Sequence, residues 1–139
     1  MAYWLLRSEP DAYSWDDLVR DGETEWNGVR NATARIHLKA MVPGDRAIFY
    51  HSNTERACVG VMEITRAWQP DGDDGKWASV AVKPVAPLPR PVPLADIKAE
   101  PKLAEMMMLK QSRLSCSAVT PEEWAVVMHM AGATDAAAA

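Results

Sequence analysis

The sequence predicts one domain of mixed α and β structure with five or six strands, and three observations carry that expectation. Helix start signals recur along the chain, the clearest being Thr120-Pro121-Glu122-Glu123, a capping box with proline at the first helical position. Between the helical stretches lie runs rich in β-forming residues, such as ACVGVMEITRAW at 57–68. The 139 residues, 48% hydrophobic and 24% charged, suit a single domain with one ordinary core, and no internal repeat or linker divides them.

In order, residues 2–7 (AYWLLR) are aromatic and apolar and end before Pro10, which reads as a short, mostly buried strand. Residues 14–20 read as a helix with Ser14 as its cap, Asp16 and Asp17 in the positive first turn, and Gly22 as its stop. Asn31 is a good N-cap for a second helix through Arg35 and Leu38 to Ala40, followed by a turn at Pro43-Gly44. Residues 45–52 then read as a strand paired to 57–68, where Gly60 signals a bulge or the close approach of another group. Residues 71–75 are a polar turn and 77–85 the next strand. Pro87, Pro89, Pro91 and Pro93 lack an N–H, so their stretch reads as an edge strand or extended connector. Helices are expected at 94–100 and 102–110, a strand at 114–119, and a last helix that presents Trp124, Val127 and Met128 on one face and stops at Gly132.

Composition excludes several classes. No apolar run approaches the ~20 residues that span a bilayer, and residues 1–10 show no secretory pattern. Cys58 and Cys116 are too few and too far apart for a disulfide scaffold or a CxxC site. We therefore expect a cytoplasmic protein with no membrane partner. His37, His51 and His129 are isolated, and neither GxGxxG nor a P-loop occurs, so no metal and no cofactor are expected. The net charge of −4 argues against a strong non-specific grip on phosphate backbones. The charge is nevertheless graded along the chain: seven acids stand against two bases in residues 7–25, and five bases against two acids in 26–56.

One grouping suggests chemistry. Arg7-Ser8-Glu9-Pro10 ends the first strand, Trp26-Asn27-Gly28-Val29-Arg30-Asn31 leads into the second helix, and Tyr50-His51-Ser52-Asn53 ends the next strand. Such a set can read the polar edge of a flat heterocycle while Trp26 stacks on its face. The same residues equally suit plain structural work, with Asn31 capping, Trp26 filling core, and His51 and Ser52 satisfying loop backbone. The residues alone leave both readings open.

These segments, with Trp15-Asp16-Asp17-Leu18, Gly44-Asp45, Gln111-Ser112-Arg113-Leu114-Ser115 and Val119-Thr120-Pro121-Glu122-Glu123, resemble the EVE domain family in order from residue 2 to about 130. The resemblance implies an α+β, PUA-like β-pseudobarrel flanked by short helices and related to the YTH domains, over residues 1–132, with 133–139 an Ala-rich tail expected to be disordered. It implies a non-enzymatic module that reads a modified nucleobase in DNA or RNA, helped by protein partners. Ser8 and Glu9 would border the cavity, Trp26 would supply its aromatic wall, Arg30 and Asn31 its helix corner, and His51 and Ser52 the neighbouring strand end. Arg113 would flank a phosphate. The chain departs from the family at Ala32-Thr33, where Tyr and Gln are common, and at Cys116-Ser117-Ala118-Val119. Two rivals remain: a small nucleotide-processing enzyme with Glu9 and His51 as acid and base, and an interaction scaffold with a vestigial pocket.

Overall fold

The structure is a computed structural model that describes residues 2–52, 55–72, 76–111 and 114–133. Its strands are β1 (Tyr3–Ser8), β2 (Thr24–Trp26), β3 (Arg46–His51), β4 (Ala57–Pro70), β5 (Ala78–Pro93) and β6 (Cys116–Val119). Its helices are α1 (Trp15–Asp21), α2 (Ala32–Ala40), α3 (Leu94–Ala99), α4 (Met107–Lys110) and α5 (Pro121–Ala131), with a 3-10 turn at Pro101–Leu103.

Residues alternate across a strand, and the chain uses both faces. In β1, Trp4 and Leu6 join one apolar cluster while Leu5 joins another; in β3, Ala47 and Phe49 face the first and Ile48 and Tyr50 the second. The first cluster takes Trp15 and Leu18 from α1 and Ala34 and Leu38 from α2. The second takes Ile97, Leu103, Met106 and Met108, together with Trp124, Val127 and Met128 from α5. Helices thus cover both faces of one six-stranded sheet in the order β2-β5-β4-β3-β1-β6.

β1 pairs with β3 in parallel, Tyr3 opposite Arg46 and Ser8 opposite His51, while the other pairs are antiparallel. A parallel pair needs a long crossover; here residues 9–45 supply it and carry α1, β2 and α2. β2 and β6 are the two edges of the sheet, and α2 packs against β6, β5 and β4 on its way across the first face.

The capping signals operate as the sequence predicts. Ser14 and Asp17 form a full capping box, as do Thr120 and Glu123, and Asn31 Oδ1 accepts the Ala34 N–H at 2.9 Å. Gly22 and Gly132 end their helices at positive φ, and the Ala133 N–H then donates to Met128 O.

The structure departs from expectation at three places. Thr24–Trp26 is a strand that the sequence did not announce, formed by pairing Glu25 with Ala81 in β5. β5, expected over 77–85, runs on to Pro93, and its proline stretch pairs with β4 on one side alone, the edge strand that the missing N–H groups lead one to expect. The helix expected over 102–110 is instead the 3-10 turn and α4, separated where Met106 adopts extended backbone at ψ 132°. Part of the expected turn at 71–75 and the tail from 134 lie outside the described residues.

Candidate functional site

A cavity of about 760 Å3 opens between β1 and β2. Arg7 and Ser8 at the end of β1 form one wall, with Ser115, which precedes β6, beside them. Thr24 to Trp26 of β2 and the loop 27–31 into α2 form the other, and Glu9, Ala12 and Tyr13 complete the rim. The cavity therefore lies in the crossover, between the end of β1 and the edge strand β2.

Each wall is held by local chemistry. The Ser8 hydroxyl donates to Tyr13 O at 2.6 Å, and Glu9 O accepts the N–H groups of Ala12 and Tyr13, so the chain after β1 folds into a tight turn. The Ser52 N–H donates to Ser8 O and the Arg7 N–H to Ser115 O, both at 2.9 Å. Trp26 is only 8% exposed and belongs to the first core, its ring perpendicular to Phe49 with centroids 5.4 Å apart. It is at once a core residue and a cavity wall.

The loop 27–31 is clamped from the β4–β5 turn. Asp71 Oδ2 accepts the Gly28 N–H at 2.8 Å and an Arg30 Nη1 proton at 2.9 Å. The Arg30 bond, then the Gly28 amide, hold the Asp71 carboxyl below the usual carboxylate range. Gly28 has φ +78°, a left-handed conformation that glycine adopts at no steric cost. The Arg30 and Arg35 guanidiniums both lie over the Trp77 ring, at 5.6 and 5.5 Å from its centroid.

Glu25 lines the cavity, yet its carboxylate is engaged by a forked pair of bonds from Arg66, at 2.7 and 2.6 Å, and by the Ser79 hydroxyl. Those bonds, Arg66 first, pull the Glu25 carboxyl below its ordinary value against an opposing burial effect. Tyr13 donates its hydroxyl to Asp21 Oδ2 at 2.8 Å, and burial is the main reason its phenol is pushed up.

Of the residues singled out from the sequence, Ser8, Glu9, Trp26, Arg30 and Asn31 come together around this cavity. His51 does not join them. Its Nε2 accepts the Trp15 backbone N–H at 3.0 Å and its Nδ1 pairs with Glu55, so it anchors the start of α1. Glu9 and His51 therefore do not form an acid–base pair facing one space. Ser52 touches the site through its backbone bond to Ser8, and Arg113 lies outside the described residues. Trp4 is committed to the first core, its Nε1–H donating to Asp45 Oδ2 at 3.0 Å. Asp71 and Glu25 escaped the sequence reading: Asp71 acts from 43 positions beyond Gly28, and Glu25 sits in the unannounced β2.

Fold and cavity together define an α+β domain in which one open-edged sheet carries an aromatic-walled, polar-rimmed cavity in its crossover. The chain belongs to the EVE domain family, whose model matches residues 2–130. It is 32% identical to human thymocyte nuclear protein 1 over 93% of this chain and 73% of that one. A Rhodopseudomonas palustris protein solved by NMR superposes with a TM-score of 0.91 at 48% identity, covering 95% of this chain and 94% of its own. A crystal structure of human THYN1 in complex with 5-methylcytosine-containing DNA superposes with a TM-score of 0.90 at 30% identity, covering 96% and 99%.

Proposed function

We propose that this domain is a non-enzymatic reader that holds a modified nucleobase of DNA, 5-methylcytosine first among candidates, in the cavity beside Trp26. The observation that carries the reading is the near-complete superposition on a relative crystallised with 5-methylcytosine-containing DNA. The cavity supports it: about 760 Å3 falls within the range of roughly 300–1,000 Å3 typical of small-ligand pockets. Extruding a base costs a few kcal/mol, and stacking returns about 1–3 kcal/mol per base, so polar contacts around the rim must supply the remainder. We assign that role to Ser8, Glu9, Arg30 and Asn31, which line the cavity, and the flanking phosphate to Arg113. A net charge of −4 implies modest affinity for the backbone itself, which protein partners would supplement.

Fluorescence anisotropy with labelled oligonucleotides tests this. DNA carrying 5-methylcytosine should bind more tightly than the unmodified sequence at the same salt. Trp26→Phe, which keeps the core filled, should reduce the preference while the protein stays folded. Equal binding of modified and unmodified DNA by the wild type would overturn the reading.

A further inference from the structure

Resting on that reading, we infer that the cavity selects a 4-amino pyrimidine over a 4-oxo pyrimidine, with Ser8 and Glu9 accepting the exocyclic amine and Asn31 donating to the neighbouring ring acceptors.

The lining side chains differ in hydrogen-bond polarity. A backbone N–H can only donate, so the Asn31 atom that caps the Ala34 N–H must be the amide oxygen. The amide nitrogen, with two protons, is what Asn31 has left for the cavity that it lines. A carbonyl can only accept, so the Ser8 proton is spent on Tyr13 O, and Ser8 offers the cavity lone pairs alone. Glu9 is an exposed carboxylate on the same rim, whereas the carboxylate of Glu25 is held by Arg66 and Ser79. Ser8 and Glu9 thus bring acceptors to the end of β1 and Asn31 a donor to the start of α2, while the guanidinium of Arg7 lies over the Tyr50 ring, 5.4 Å from its centroid, and that of Arg30 is paired with Asp71.

That pattern complements cytosine, whose N4 amine donates beside the accepting N3 and O2, and carboxylates are its usual partners. Thymine carries the same 5-methyl group but sets an accepting O4 and a donating N3–H in those places. It would face lone pairs with a lone pair, and a site built around hydrogen bonds rejects such an analogue strongly. Reading the edge of the base is thereby separable from reading its methyl group.

The test places cytosine, 5-methylcytosine or thymine opposite an abasic site in one duplex, so that no base pair has to be broken. The wild type should bind 5-methylcytosine at least about tenfold more tightly than thymine. Asn31→Asp keeps the helix cap, since Asp caps as well as Asn, but turns the donor into an acceptor. It should shrink that ratio several-fold at unchanged melting temperature, and Glu9→Gln should shrink it too. Equal binding of thymine and 5-methylcytosine overturns the inference even where both exceed cytosine, the result expected of methyl reading alone. A ratio untouched by both variants also overturns it. Cytosine and 5-methylcytosine binding equally, both above thymine, supports it while defeating the modified-base reading. Failure to bind any of the three defeats both.

Discussion

Gly60 and Trp15 compete for one volume: a Cβ on Gly60 would lie 2.4 Å from Trp15 Cζ3 and 2.6 Å from Cη2. The ring presses on the strand where the β3–β4 register shifts, and the His51 acceptor holds the Trp15 N–H from the other side. Gly60→Ala must displace a core tryptophan, with an expected loss of about 1–3 kcal/mol by chemical denaturation, the usual cost of overpacking. Trp15→Leu in the same background should recover part of that loss, because the smaller side chain vacates the contested space.

Asp45 is 2% exposed and accepts three N–H groups, from Ala2, Trp4 Nε1 and Val42. Asp45→Ala leaves the buried indole donor and the Val42 N–H, in the turn after α2, without their acceptor. Each bond to a charged group is worth about 1.5–3 kcal/mol, so we expect a destabilisation of about 3 kcal/mol or more. Asp45→Asn should cost less, since one oxygen remains. A denaturation series that ranks the two variants the other way would contradict this account.

The Glu25–Arg66–Ser79 cluster makes stability depend on pH. The folded carboxyl ionises below the ordinary glutamate value, so the unfolded chain binds a proton first as pH falls. The contribution is complete at neutral pH, where both states are ionised. It fades below the ordinary glutamate range and is lost as pH passes the depressed folded value. Glu25→Gln should therefore be less stable than wild type at neutral pH, with the gap narrowing on acidification. Urea midpoints at several pH values check both the sign and the window.

Asp71 governs the mouth of the cavity. Asp71→Ala frees the Gly28 N–H and the Arg30 guanidinium together. Both bonds are exposed, so the cost in global stability should stay below about 1 kcal/mol. The local effect should be larger, with hydrogen exchange at the Gly28 amide accelerating severalfold relative to core amides.

What the sequence reveals follows the range of the interactions. Ser14, Asn31 and Thr120 announce their helices because a cap is satisfied within three residues. Gly60 is legible as a site of close approach, but its neighbour Trp15 is not, since that contact is tertiary. β2 is invisible because three residues become a strand only by pairing with β5. Met106 breaks an otherwise helical stretch through its backbone conformation and not through its type. At the site, Ser8, Glu9, Trp26, Arg30 and Asn31 are legible as polar or aromatic residues at element ends. His51 belongs to the same strand end, directly opposite Ser8, but turns beneath α1 to meet Trp15. Strand pairing places residues side by side without saying where each side chain goes.

The parallel crossover has one more consequence. Among the described residues, those that border the cavity fall within 7–31, a single uninterrupted stretch of chain, apart from Ser115. The long strands β4 and β5, which carry most of the ladder, contribute nothing to its lining. Ligand preference is therefore separable from the scaffold. Exchanging that stretch between relatives would transfer a binding preference as one cassette, provided that Ser115 and Asp71, which clamps Gly28 and Arg30, are matched as well.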